Sequence, residues 1–238
     1  MPVAAVVLLA VEAEIATHGH DLPERAPYDL DGTVGTDTGA PLRIVWLGDS
    51  TAAGVGASGP DHALPRLVAA SVAAARHRPV ALRSFAVSGA RIADVLHQQV
   101  AQVPTDTDLV VIDVGSNDVT HLTSRGTFRS RYRQVLARLP PRARVVLLGV
   151  PDMGAPPRFL QPLRFLAGVR GGTLDAVIHH LAVAGHDGYV DIAGRTGPSF
   201  RRLPRRFIAA DHYHPTDAGY RLWADATEPV VFDALRGR

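Results

Sequence analysis

The chain has 238 residues, 46% of them hydrophobic and 20% charged, with a formal net charge of +2. That is the make-up of an ordinary globular chain with a sizeable core. It has no cysteine, which excludes disulfides, thiolate metal sites and a cysteine nucleophile and leaves the redox compartment open.

All 25 basic residues are arginine, a bias that points to high-GC coding rather than to a basic surface. With a net charge of only +2, nucleic-acid binding has little support. Residues 2–10 are apolar but are followed at once by Glu12 and Glu14. A bilayer span needs roughly 20 apolar residues, and no basic leader precedes this run as in a signal peptide. Two readings stay open: an amphipathic helix over residues 3–17 packed on the domain, or the tail of a membrane anchor or signal. The second would bring peripheral membrane or envelope association. Residues 18–41 are rich in Gly, Pro, Asp and Thr and read as a connecting loop. The chain therefore divides into an N-terminal segment, 1–41, and one domain, 42–238.

Within that domain, apolar runs of strand length fall at 42–47, 80–87, 109–114, 144–150 and 189–192. Helix-like stretches fall between them at 62–77, 91–103, 127–139 and 163–184, and a last helix follows Pro215. Alternating strands and helices imply a parallel sheet covered on both faces, a three-layer α/β/α domain with five strands. In such sheets functional groups gather just after the carboxyl ends of the strands.

Those positions carry chemistry. Gly48-Asp49-Ser50 follows the first strand, Ser88-Gly89 the second, and Gly115-Ser116-Asn117-Asp118 the third. Asp211-His212-Tyr213-His214-Pro215 follows the fifth after a long loop, 193–210. A serine on a tight turn after a strand lifts its hydroxyl out of the sheet. Serine alone is a poor nucleophile and needs a base. His214 can take the Ser50 proton, and Asp211, three residues earlier, can reach the other ring nitrogen. Oxyanion donors are available in the backbone N–H groups of Ser50 and Gly89 and the Asn117 side-chain amide. Each residue taken singly has a structural alternative: a helix cap for Ser50, a turn for Gly89, turn residues for Asn117 and Asp118.

The four segments, in this order, resemble the sequence blocks of the SGNH, or GDSL-type, serine hydrolases. The resemblance runs from about Leu42 to the C-terminus, with only the short blocks specific. It implies the flavodoxin-like strand order 2-1-3-4-5, which sets Gly89 and Asn117 on either side of Ser50. It also implies a catalytic set of Ser50, Asp211 and His214, and an oxyanion hole of Ser50, Gly89 and Asn117. No metal and no cofactor are expected. The family's second block often has an asparagine five residues before its glycine; here that position is Ser84, which can replace one hydrogen bond of an amide but not both. Asp49 and Asp118 read as loop braces, and His212 sits at the wrong offset for the family's base.

Two motifs are set aside. Asp29-Leu30-Asp31-Gly32-Thr33 matches a haloacid-dehalogenase-type phosphatase signature, but a polar, proline-broken stretch precedes it in place of a buried strand. His179-His180 lacks acidic partners at helical spacing and reads as helix surface, not as metal ligands. Two loops are expected to frame the site, 152–165 and 194–207, both mixing Phe, Leu, Pro and Arg. Apolar side chains suit an acyl chain and arginines suit anionic headgroups. The expected function is hydrolysis of short to medium acyl esters, lipid esters among them. A carbohydrate O-acetyl esterase and an inactive SGNH-like binding module are the alternatives.

Overall fold

The strand-length runs pair as expected, and a sixth strand joins them. In the computed structural model, which describes residues 28–236, the strands are β1 (Gly32–Val34), β2 (Leu42–Gly48), β3 (Val80–Ser84), β4 (Leu109–Asp113), β5 (Arg144–Leu148) and β6 (Gly188–Val190). Their order is β1-β3-β2-β4-β5-β6. From β3 to β6 this is the flavodoxin-like parallel order. The expected N-terminal helix over residues 3–17 lies outside the described residues.

Strand β1 corrects the reading of residues 18–41 as a connecting loop and the count of five strands. It pairs antiparallel with β3, Gly32 opposite Leu82 and Val34 opposite Val80. Three residues are too few to show a period of two, and the pairing is long-range, so local pattern carries no trace of it. The Asp31 carboxylate fixes the edge by accepting the Ser84 N–H at 2.8 Å. Asp29 accepts the Asp31 N–H. The phosphatase-like motif thus leads into an edge strand.

The helices are α1 (Leu64–Arg76), α2 (Ile92–Asp94), α3 (Ser116–Thr120), α4 (Arg125–Arg138), α5 (Leu163–Gly185), α6 (Ile192–Arg202), α7 (Pro204–Phe207) and α8 (Asp217–Ala234). Among the described residues no helix is long and apolar enough to cross a membrane. Successive strand side chains point to opposite faces and build two cores. Ile44, Trp46, Val111 and Leu148 pack with Val68 and Val72 of α1 and Trp223 and Val231 of α8. Val45, Leu47, Val110 and Ile112 pack with Phe128, Leu174 and Ile178 on the other side. Each buried Val, Leu or Ile contributes about 1.5–3 kcal/mol, so this double-sided burial anchors the strand ends that carry the site.

Two further differences matter below. The helix expected over 91–103 is a composite: α2 widens into a π turn, Val95–Gln99, and ends in a 3-10 turn, Val100–Gln102. The expected loop 193–210 is mostly helix. Asp191 caps α6 by accepting the Gly194 N–H at 2.7 Å, and Ile192, Thr196 and Phe200 form a buried stripe at fourfold spacing. Gly and Pro within 194–207 suggested a loop; burial of that stripe overrides their poor helix propensity.

Candidate active site

Strand β2 ends where it is pressed hard against β4. A Cβ at Gly48 would fall 2.0 Å from the Asp113 carbonyl oxygen, so only glycine fits. The Asp49 N–H then donates to that same oxygen at 3.1 Å. Gln99, carried inward by the π turn, grips Gly48 on both sides. Its Oε1 accepts the Gly48 N–H at 2.8 Å and its Nε2 donates to the Gly48 carbonyl at 2.9 Å. Sequence reasoning missed Gln99, because nothing local distinguishes it from a surface glutamine on a helix. Ser50 follows on a turn closed by Val55 N–H to the Ser50 carbonyl at 2.9 Å.

The Ser50 hydroxyl does not cap a helix; Oγ lies 2.9 Å from His214 Nε2. His214 Nδ1 lies 2.5 Å from Asp211 Oδ2. The other Asp211 oxygen accepts the backbone N–H groups of Tyr213 and His214 at 3.0 and 3.1 Å. Burial alone would push the Asp211 carboxyl up. The His214 hydrogen bond and charge, with the two backbone N–H groups, outweigh it and hold the carboxyl below its ordinary value. An ionised Asp211 fixes the imidazole tautomer with Nε2 as acceptor toward Ser50. His212 turns back at φ 60° and is exposed, and its reversal lets the next two N–H groups face Asp211.

The expected oxyanion donors sit on loops either side of β2. The Phe85 and Val87 N–H groups donate to the Trp46 and Gly48 carbonyls, which ties the Gly89 loop to β2. Gly89 has φ 83°, so it does serve the turn, and its N–H and that of Ser50 have no acceptor among the described residues. Asn117, in the first turn of α3 after β4, donates from Nδ2 to the Ala90 carbonyl at 3.1 Å. That bond joins the loops after β3 and β4. An amide nitrogen carries two N–H groups, so one proton orients Asn117 and the second remains available. Asp118 braces as expected: it is fully buried and accepts the Ile92 N–H at 2.9 Å, and burial raises its carboxyl.

Beneath Ser50 lies a buried carboxyl pair that sequence reasoning saw only in part. Asp49 Oδ1 accepts the Thr51 N–H at 3.1 Å and lies 2.9 Å from Thr51 Oγ1. The same hydroxyl lies 2.8 Å from Asp113 Oδ2. A threonine has one hydroxyl proton. Both contacts are hydrogen bonds only if one carboxyl also carries a proton. Burial, and then the charge of Asp49, push Asp113 up to about 8. Burial pushes Asp49 up less, to about 6, against the Thr51 bonds and the His214 charge. The Thr51 N–H donates to Asp49 and favours its charged form, so the shared proton falls to Asp113, which donates to Thr51, and Thr51 donates to Asp49. Asp113 is the last residue of an apolar strand, and only its register against Gly48 brings it under the serine.

The two expected framing loops do meet beside the serine. A small pocket of about 40 Å³ is lined by Ser50, His214, Met153, Thr196, Phe200 and Trp223, among others. Two of their arginines brace the loops themselves. Arg201 makes a two-armed contact with Asp152, and Arg164 donates to the Gly154 and Ala155 carbonyls at 2.7 Å. On the other side of His214 lies a groove of about 950 Å³, whose walls include Val55, Val87, Ala209 and Arg206. His179 packs on Tyr189 with ring centroids 4.7 Å apart. Among the described residues no cluster of three His, Asp or Glu is disposed to hold a metal.

Comparison with known proteins agrees with this architecture. Residues 46–222 match the model of the GDSL-like lipase/acylhydrolase family. The GDSL-like esterase Rv1075c of Mycobacterium tuberculosis is 34% identical over 198 residues, covering 82% of this chain. The match spans 63% of that relative's own length. Phospholipase A1 from Streptomyces albidoflavus superposes with a TM-score of 0.57 at 25% identity, over 82% of this chain and 100% of that one. The acetylxylan esterase Axe2 from Geobacillus stearothermophilus gives 0.59 at 19% identity, over 85% and 100%; at that identity the likeness is one of fold.

Proposed function

Because this chain belongs to the GDSL-like lipase/acylhydrolase family, we propose that it is a serine esterase, with Ser50 as nucleophile, His214 as general base and Asp211 as its orienting carboxylate. The observation that carries the reading is the hydrogen-bonded row from Ser50 Oγ through both His214 ring nitrogens to Asp211. His214 Nε2 takes the Ser50 proton as Oγ bonds to the ester carbonyl carbon. The carbonyl oxygen becomes an oxyanion, held by the Ser50 and Gly89 N–H groups and the second Asn117 amide proton. Collapse breaks the bond to the alcohol oxygen, which leaves with the proton from His214. Water then attacks the acyl-enzyme by the same route, releasing the acid and restoring Ser50. The substrates in this reading are carboxylic esters of short to medium acyl chains.

A fluorescent alkyl phosphonate tests the assignment, because it forms a stable bond only with an activated serine. Labelling should be complete in the wild type and absent in Ser50→Ala. Equal labelling of both would move the nucleophile elsewhere, and no labelling of the wild type would favour the binding-module alternative.

A further inference from the structure

The two spaces that meet at His214 differ in size and in which reacting residue they touch, and this difference assigns the two halves of the ester. Resting on Ser50 as the nucleophile, we propose that the small pocket is the acyl site, that it limits the acyl group to acetyl through butyryl, and that the large groove receives the alcohol.

The assignment of sides follows from bond connectivity. The acyl carbon is bonded to Ser50 Oγ in the acyl-enzyme, so the acyl chain must extend into a space that Ser50 lines. The small pocket has Ser50 in its wall and the groove does not. The alcohol oxygen must receive its proton from His214 Nε2, and His214 walls the groove together with Asp211 and Ser88, the neighbour of Gly89. Departure into the groove carries the alcohol away from the acyl-enzyme and opens a path for water.

The size limit follows from volume. The pocket offers about 40 Å³ against about 950 Å³ in the groove. The carbonyl carbon sits at Ser50 and its oxygen in the oxyanion hole, so this small space is left to the chain carbons alone and suits a short acyl chain, the limit being placed at butyryl. The walls are fixed rather than soft. Phe200 is stacked on Phe207 and packed against Trp223. The loop carrying Met153 is tied down by Arg164 and Arg201. The groove, at about 950 Å³, sets no comparable limit on the alcohol.

The test is a kcat/KM series over p-nitrophenyl acetate, butyrate, hexanoate and octanoate for the full chain, with Ser50→Ala subtracted. Wild-type activity should hold to butyrate and fall roughly 10²-fold by octanoate, since surplus methylenes in a filled pocket cost about 10–200-fold. Met153→Ala should shift the limit toward hexanoate and octanoate, read as a rise in the ratio of octanoate to acetate kcat/KM. Ile208 lines the same pocket, and Ile208→Val, which opens that wall by one methylene at small cost in stability, should shift the limit toward hexanoate. Should either variant fail to fold, inactivation of the wild type by ethyl versus octyl phosphonates reads the same limit, with the octyl probe slower. Ser50-dependent hydrolysis of octanoate as fast as acetate would overturn the size limit and leave the esterase reading standing. Absence of any Ser50-dependent hydrolysis, with no phosphonate labelling, would overturn the esterase reading and this assignment with it.

Discussion

The proton placed on Asp113 gives a quantitative prediction. In Asp113→Asn the amide Nδ2 can donate to Thr51 Oγ1 as the protonated carboxyl does, so the hydrogen-bonded chain to Asp49 survives without a titratable group. The sign follows from the direction of the shift. Asp113 is raised from 3.8 to about 8 on folding. Its contribution to stability is therefore fully present below pH 3.8 and is lost as pH rises through about 8, because the folded state binds a proton that the unfolded state has released. Each pH unit in that window removes about 1.4 kcal/mol from the wild type. Between pH 5 and pH 8 the loss is about 4 kcal/mol, and the asparagine variant escapes it. For a domain of this size that is on the order of 10 °C in Tm. Urea unfolding of both proteins at pH 5 and pH 8, fitted with a common m-value, measures it. The stability difference should move in favour of Asp113→Asn by several kcal/mol between the two pH values. A difference that stays constant between the two pH values would refute the reasoning and mean that Asp113 does not hold its proton in the folded state.

The other predictions concern turnover. Ser50→Ala and His214→Ala should each lower kcat by roughly 10⁴ or more, since the members of a triad act as a unit; steady-state kinetics on p-nitrophenyl acetate reads this, and near-normal activity in Ser50→Ala would remove it as nucleophile. Asn117→Ala should lower kcat on the order of 10²–10³ with KM little changed, as for one oxyanion donor. It also loses the tie to Ala90, so a thermal melt should accompany the kinetics to separate lost catalysis from a displaced loop. Dialysis against a chelator should leave kcat unchanged, because every step uses protein donors and acceptors; lost activity that a divalent ion restores would contradict this.

How far the sequence reached depends on the range of the interactions involved. The parallel strands were legible because β4 is buried along its whole length and β2 and β5 along most of theirs, which leaves apolar runs of strand length in the sequence. The chemistry after the strand ends was legible because a parallel sheet collects its loops at one edge. Ser50, Asp211 and His214 followed from residue type, spacing and block order, all local properties. Strand β1 was not legible, since its three residues gain their structure from pairing with β3. Helix α6 was misread as loop because its glycines and proline are poor formers, while its buried stripe faces partners distant in the chain.

The site divides in the same way. The sequence by itself determined which groups could act: one serine on a turn, one histidine three residues after an aspartate, an asparagine and a glycine after neighbouring strands. Only the tertiary structure decided what surrounds them. Gln99 grips Gly48 across 51 positions of chain. Thr51 bridges to Asp113 across 62, and the walls of the small pocket come from segments as far apart as Met153 and Trp223. A motif reports the chemistry its own residues carry. Proton positions and pocket volume depend on desolvation and on packing between distant segments, and these exist only once the chain has folded.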